Sequence, residues 1–315
     1  MNTINSKIES AFLGQAIGDA LGVPVEFKSR TYLKENPVTD YLGFLCWNQP
    51  PGTFSDDSSM MFCTAESLSK GYDLEDISSK FVKWYQEGYW GAHHELFDIG
   101  GTTRRSLDRI IQGESPKFSG EFFPENNGNG SLMRILPLVF YLKNESDIEK
   151  RYQIIKEVSS ITHAHFRAVF SCFIFVEFGI ELLHNDKFSA LENMRVTIKN
   201  FAQKQEFNAN EIKLFDRVLS GDITKIKEEE LSSEGYVLDS LESAFWCLMT
   251  TNTYKDSVLK SVNLGGDTDT TGAINGGLAG IHYGLDTIPQ NWILGIARLE
   301  DIRKLSLDFS NSLMK

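Results

Sequence analysis

Positive charge is in short supply in this sequence: 31 lysines and arginines face 43 aspartates and glutamates, a net charge of −12. Non-specific binding to nucleic acid depends on basic side chains neutralising phosphates, so a DNA or RNA partner is not expected. A small anionic ligand is still allowed, because a helix N-terminus or a metal ion can hold phosphate without a basic surface. Cysteine is scarce as well. Cys46, Cys63, Cys172 and Cys247 lie far apart and form no CxxC pair, which removes a zinc knuckle and a disulfide framework and suits a reducing, cytoplasmic setting. The opening residues, "MNTINSKIESAFLGQ", lack a basic leader followed by a long apolar core, so no secretory signal is expected. The most apolar stretch, "FRAVFSCFIFVEFGIELL" (166–183), is interrupted by Arg167, Glu177 and Glu181, and reads as a buried core helix rather than a membrane span.

Alternating, strand-like runs are also hard to find. Apolar residues recur instead at helical spacing, as in Ile8/Phe12, Ile77/Phe81/Trp84/Tyr85, Ile154/Ile155/Val158 and Leu238/Leu241/Phe245/Leu248. The pattern predicts an all-α fold of roughly a dozen helices. With 41% hydrophobic and 23% charged residues the composition is that of an ordinary globular protein, and 315 residues suffice for a substantial core. No Pro/Ser-rich linker or low-complexity tract divides the chain, so one compact domain over 1–315 is expected. Nothing calls for obligate assembly, and a monomer is expected.

Glycine is patterned. Gly14, Gly18 and Gly22 repeat every four residues near the N-terminus, as do Gly272, Gly276, Gly280 and Gly284 near the C-terminus. Each helical glycine costs about 1 kcal/mol relative to alanine, so two such rows need compensation. A bare ridge admits another backbone closely, and the rows are expected to pack on each other or on a shared neighbour, bringing the two ends of the sequence together.

Two turns are rich in oxygen: "GTFSDDSSMMF" (52–62) and "NLGGDTDTTGAINGG" (263–277). Either alone is explained by helix capping, since Asp, Ser and Thr satisfy first-turn N–H groups and Asp suits the positive end of the dipole. Together they supply Asp56, Asp57, Asp267 and Asp269, with hydroxyls on Ser55, Thr268 and Thr270. Four converging carboxylates would repel one another and raise their pKa values unless a cation stood between them. Oxygen donors without a nearby His or Cys select a hard ion, so magnesium or manganese is expected over zinc, and the donor number allows two ions. A further segment, "PENNGNGSLMR", reads either as an ordinary surface turn or as a phosphate cradle. In the second reading Gly128, Asn129, Gly130 and Ser131 form an anion nest of N–H groups at a helix start, with Asn-Gly steps favouring positive φ.

These residues bring the chain close to a known family. It resembles the ADP-ribosylglycohydrolases, and within them the branch of dinitrogenase-reductase-activating glycohydrolases and ADP-ribosylarginine hydrolases. The likeness runs through ordered motifs along nearly the whole chain: "GQAIGDALGVPVEF", "SDDSSM", "DIGGTTRRSL", "NGNGSLMRILPL", "THAHFRAV", "GYVLDSLESAFWCL" and "GGDTDTTGAINGGLAG". The resemblance implies a compact all-α fold with a two-magnesium centre in a central cleft, cutting the bond between ADP-ribose and a protein side chain. Ser55, Asp56, Asp57, Asp267, Asp269 and Thr270 match the family's metal ligands, Glu26 a carboxylate near metal and substrate, and Asp98 the acid proposed as general base, with a helix cap as its plainer role. Asp56 and Asp57 count among the catalytic residues on the same ground. The segment holding Gly128 to Ser131 would line the ADP-ribose site, His163 would touch the ligand, and Tyr236 matches an aromatic bordering the substrate. His165 is left unassigned.

Such a centre suits the chemistry. Breaking a ribosyl bond builds positive charge at C1 of the ribose, which carboxylates stabilise, while a carboxylate takes a proton from the attacking water. The sequence departs from the branch at Gly101, where asparagine is frequent, and at Ser58, where threonine is common. The implied partners are ADP-ribose and an ADP-ribosylated protein, most naturally modified on arginine. Serine-linked or small-molecule ADP-ribosyl substrates stay open, as does an inactive ADP-ribose-binding, immunity or regulatory module, although every acidic metal position is present. Isoprenoid synthases need a DDxxD-like helix, whereas Asp56 and Asp57 are followed by Ser58, Ser59 and Met60, and histidine–aspartate phosphohydrolases need a His-Asp pair that is absent.

Overall fold

A computed structural model describes residues 4–314. Among them are sixteen α-helices and five short 3-10 turns, and no strand longer than the isolated bridges Glu121–His163 and Gly128–Tyr236. The all-α reading therefore holds, with more helices than the dozen expected. The surplus lies in pieces such as Arg30–Glu35, Ala209–Lys213, Asp216–Leu219 and Gln290–Gly295, four to six residues long. A segment of one turn cannot display a 3.6-residue period, so the pattern is silent there.

Helix starts follow side-chain chemistry. Asp73, Asp147 and Asp186 each accept two first-turn N–H groups, opening Leu74–Glu87, Ile148–Ser160 and Lys187–Lys204. Gly88 closes the first of these in the left-handed region at φ +67°. The apolar stretch forms the helix Phe166–Leu182 and is buried in the interior. Among the described residues no helix is long and apolar enough to cross a membrane.

At the centre lie the helices Ile4–Gly22 and Thr268–Tyr283, each buried on nearly all sides along most of its length. Their glycine rows meet face to face. A Cβ on Gly14 would stand 2.5 Å from the Gly276 carbonyl oxygen, and one on Gly276 would stand 2.2 Å from that of Gly14. Of the two packings the sequence left open, direct contact is the one found. Gly284 does not extend the ridge: it ends the helix at φ +86°. Ser10 strengthens the seam by donating its hydroxyl to the Gly280 carbonyl at 2.6 Å. Around this pair pack the helices Asp56–Leu68, Val237–Met249, Tyr254–Val262 and Leu299–Ser312. Phe12 stacks on Phe309 at 5.7 Å and meets Phe62 and Phe140 edge-on, so the first helix anchors the chain's other end. Chain ends distant in sequence are thus joined, and both acidic turns sit at helix starts beside the seam.

Candidate active site

Capping explains Ser55 and little else in the acidic turns. Ser55 is the N-cap of Asp56–Leu68: its Oγ accepts the Asp57 N–H at 3.3 Å and donates to Asp57 Oδ2 at 2.9 Å. Asp56 and Asp57 lie beyond the cap. In the second turn Asp267 occupies the N-cap of Thr268–Tyr283 yet makes no capping hydrogen bond. Asp269 Oδ1 accepts the Thr270 N–H at 2.9 Å. One oxygen expected of this turn is not available: the Thr268 hydroxyl is buried and donates to the Gly22 carbonyl at 2.8 Å.

The turns meet. Carboxylate oxygens of Glu26, Asp267 and Asp269 lie within 4.8 Å of one another, and so do those of Asp19, Asp57 and Asp269, so that Asp269 belongs to both groups. Burial pushes the carboxyls of Asp56, Asp57 and Asp269 well above the usual range, and repulsion adds to it, from Asp98 on Asp56, Asp19 on Asp57 and Glu26 on Asp269. Glu26 is raised to about 8, first by burial and then by Asp98, against the opposing pull of the Trp47 indole N–H that donates to it. Burial, followed by repulsion from Asp267, lifts Asp98 to about 6.

This donor set fits a hard cation. Asp57 Oδ1 and Asp269 Oδ2 are buried oxygens with no hydrogen-bond partner, set among other carboxylates. Buried acceptors are normally satisfied, and a divalent ion satisfies such oxygens while cancelling their repulsion. The donors are all oxygen, as magnesium or manganese prefers.

A cleft of about 250 Å³ opens at this cluster, lined by Glu26, Asp56, Asp98, Asp267 and Thr270 together with Gly128–Gly130 and His163. Asp98 holds a left-handed backbone at φ +50°, costly for a residue other than glycine and recurrent at functional sites. It does not cap the following helix: Gly100 is the N-cap of Gly101–Ile111, with no side-chain cap. Gly101, the departure from the related branch, begins that helix at the cleft wall.

The segment 128–131 differs from the expected nest. It runs from an isolated bridge at Gly128 through a bend at Asn129 into a turn that begins at Gly130, and is not a helix start, the next helix beginning at Pro137; neither Gly128 nor Gly130 has positive φ. The Asn129 N–H is given to the Gly235 carbonyl at 3.1 Å, while its side chain donates to Asp267 Oδ2 and Ser240 Oγ, both at 2.8 Å. Asn129 thereby orients a carboxylate of the cluster. The Ser131 hydroxyl turns inward, to Ser159 Oγ at 2.9 Å and Cys172 Sγ at 3.5 Å. His163 lies against Gly130, where a Cβ would come within 2.9 Å of the ring, and its Nδ1 meets Thr162 Oγ1 at 2.7 Å. Burial, then the charge of Arg134, lowers its pKa to about 3, so it is neutral. His165 caps Phe166–Leu182 through the Arg167 N–H. Tyr236 is placed outside the cleft, in a neighbouring hollow with Leu214, Phe215 and Asp239, where its hydroxyl receives Arg167 at 3.4 Å.

Sequence reasoning missed Asp19, Trp47 and Arg134. Asp19 is fully buried inside an apolar helix, a position aspartate seldom occupies unpaired, and that oddity was visible in "GQAIGDALG". Arg134, also fully buried, donates to the Gly130 carbonyl at 3.1 Å and to Thr162 Oγ1 at 2.7 Å, with its guanidinium 4.6 Å from the Phe81 ring centre. It thus fixes the loop and, through Thr162, the histidine that line the cleft. Trp47 lies on an irregular loop that carries no periodic signal.

The sequence profile of the ADP-ribosylglycohydrolases matches residues 1–314. The chain belongs to the ADP-ribosylglycohydrolase family. It is 32% identical to the ADP-ribosylarginine hydrolase Tri1 of Serratia proteamaculans, over 95% of this chain and 78% of that protein. It is 27% identical to the ADP-ribosyl-[dinitrogen reductase] glycohydrolase of Rhodospirillum rubrum, over 92% and 90% of the two chains. A solved ADP-ribosylglycohydrolase-related protein complex superposes on it with a TM-score of 0.82 at 29% identity, covering 100% of both chains. The family is hydrolytic, and the all-α architecture is shared with that solved relative.

Proposed function

We propose that this protein is a magnesium-dependent hydrolase that removes ADP-ribose from a modified protein side chain, with arginine as its substrate. The observation that carries the proposal is the meeting of Asp57 and Asp269, each with an unpartnered buried oxygen, beneath a cleft lined by Asp98 and His163. The arginine preference is supported by the likeness to a protein named as an ADP-ribosylarginine hydrolase. An acidic cleft also suits a cationic guanidinium.

Ser55, Asp56, Asp57, Asp267, Asp269 and Thr270 would hold two magnesium ions, or manganese, which supply Lewis acidity and a grip on ribose hydroxyls when bound. The remaining work falls to the chain. Fixing the ribose in a narrow cleft removes most of its orientational freedom before the reaction begins. As the bond from C1 to the guanidine nitrogen breaks, positive charge grows on the ribose, and the carboxylates lining the cleft, with the ionised fraction of Glu26 among them, stabilise it. Asp98 takes a proton from the water whose oxygen bonds to C1, and that proton passes to the departing nitrogen. Burial raises its carboxyl above the usual carboxylate range, which makes it more basic for the transfer. Neutral His163 and the Gly128–Gly130 segment line the same cleft, where uncharged groups accept the ligand without competing for the cation.

Incubation with arginine-, serine- and glutamate-linked ADP-ribosyl peptides, with magnesium or with a chelator, tests this directly. Release of ADP-ribose from the arginine peptide alone, lost on chelation, is expected. Tight ADP-ribose binding without release from any peptide would favour a binding module, and release from the serine peptide would reassign the substrate.

A further inference from the structure

We infer that Asp19 is a positioning residue which, by capping the helix that carries Asp56 and Asp57 from outside, sets Asp57 at the right distance from Asp269 to share a cation. This rests on the metal reading above and goes beyond it, since Asp19 is not counted among the ligands.

The helix Asp56–Leu68 begins with N–H groups that have no partner within the helix. Asp19, on the central helix Ile4–Gly22, satisfies two backbone donors there. Its Oδ1 accepts the Ser55 N–H at 2.8 Å, and its Oδ2 accepts the Ser58 N–H at 3.1 Å and the Ser58 hydroxyl at 2.6 Å. In an ordinary capping box those donors, at the N-cap and the third residue, are met by side chains of the helix itself. Here a different helix supplies the acceptor, in place of the side chains of Ser55 and Ser58. Asp57, between them, keeps an oxygen without a partner.

The same face of the central helix grips the rest of the cluster. One turn before Asp19, Gln15 donates to the Asp57 carbonyl at 3.2 Å and to the Met133 carbonyl at 2.7 Å. Just after it, the Gly22 carbonyl accepts the Thr268 hydroxyl at 2.8 Å, and Gly22 lies so close to Asp269 that a Cβ would stand 2.4 Å from the latter's Cα. A single rigid segment therefore sets the positions of both carboxylate-bearing helix starts. The contrast in hydrogen bonding separates the roles. Both Asp19 oxygens are engaged by donors, whereas Asp57 and Asp269 each retain an open one, although all three side chains lie within the same 4.8 Å group.

Manganese titration of the full-length protein, read by calorimetry and by the signal of free Mn²⁺ in electron paramagnetic resonance, tests the assignment. Asp19→Asn keeps one acceptor oxygen but not both; Ser58→Ala deletes only the hydroxyl donor. Asp19→Asn is expected to bind as many ions as the unsubstituted protein, with one of them about 10- to 100-fold weaker, the range typical when a ligand's orienting partner is removed. Turnover should recover as magnesium is raised. Ser58→Ala should show a smaller loss in the same direction, and it carries the test if Asp19→Asn does not fold. Unchanged manganese affinity in Ser58→Ala and in any folded Asp19→Asn would overturn the proposal. So would loss of one ion from the stoichiometry of Asp19→Asn without recovery at high metal, because Asp19 would then be a ligand. Asp57→Asn serves as the reference: manganese binding unaffected by it, or absent from the unsubstituted protein, would overturn the metal reading itself and this proposal with it.

Discussion

A Cβ placed on Gly18 would stand 2.1 Å from the carbonyl oxygen of Gly272, and one on Gly272 would stand 2.4 Å from the carbonyl oxygen of Gly18. Backbone meets backbone here, so no side chain can swing aside to make room. Alanine at a helical glycine ordinarily gains about 1 kcal/mol. Overpacking a rigid seam costs about 1–3 kcal/mol or more and should outweigh that gain. Gly18→Ala is therefore expected to lose about 2 kcal/mol or more of stability, seen as a lower urea midpoint with unchanged slope, and to weaken manganese binding as the two helix starts move apart. A stability equal to or above that of the unsubstituted protein would show that the central helices are free to separate.

The repulsion stored among the carboxylates makes a paired prediction. In Asp57→Asn a buried acid flanked by Asp19 and Asp267 becomes neutral. Thermal unfolding without metal should then move up at neutral pH, while the stabilisation by added magnesium shrinks and turnover falls by about three orders of magnitude or more, the scale lost when a dominant electrostatic group is removed. Asp56→Asn and Asp267→Asn should likewise abolish turnover in folded protein. A drop in metal-free stability on neutralising Asp57 would mean that its charge has a partner of another kind.

The pH dependence has a definite sign. Asp98, Asp19 and Glu26 are raised by burial to about 6, about 7 and about 8 in the folded protein. Each therefore contributes stability fully present below the unfolded value of about 4 and lost as pH rises through the folded value. Chelated protein should melt several degrees lower at about pH 8.5 than at about pH 5.5. Saturating magnesium should reverse the trend, because the ion competes with protons for the same oxygens and binds more tightly as they leave. Differential scanning fluorimetry across this range, with and without chelator, checks both halves. A flat profile in chelator would mean that the cluster is already neutralised.

Much of this arrangement was legible in the sequence because it is carried by spacing. The four-residue glycine rows gave away a backbone seam between the chain's two ends, and the repeated pairing of aspartates with hydroxyls at helix starts pointed to a common centre. What stayed hidden depends on hydrogen-bond direction across the fold. Nothing local distinguishes Thr268, whose hydroxyl goes to Gly22, from Thr270 at the cleft wall. Ser131 reads like the glycines before it, yet its hydroxyl is held by Ser159 inside the core. The Gly128–Gly130 segment signalled a turn correctly but not its φ values, which the contacts of Asn129 with Gly235 and Asp267 determine. Asp19 escaped because its partners, Ser55 and Ser58, are more than thirty residues away.

Trp47 offers the most selective probe of the acid pair at the cleft. Its indole N–H donates to Glu26 Oε2, and its ring meets that of Phe97, the neighbour of Asp98, at 5.9 Å. Trp47→Phe keeps a ring against Phe97 but removes the donor, and with it an influence that lowers the Glu26 pKa, which burial and Asp98 raise to about 8 even in its presence. Glu26 should then retain its proton to higher pH, leaving less negative charge to stabilise the ribosyl cation at neutrality. The expected result is a kcat/KM lower by about 3- to 10-fold near pH 7, corresponding to about 1 kcal/mol for one lost hydrogen bond, with the deficit closing toward about pH 9. Stability should change little, so a pH-rate profile separates this effect from unfolding. A profile that falls in parallel at every pH would assign Trp47 a packing role, and one that coincides with the unsubstituted protein would remove Glu26 from charge stabilisation in the reaction.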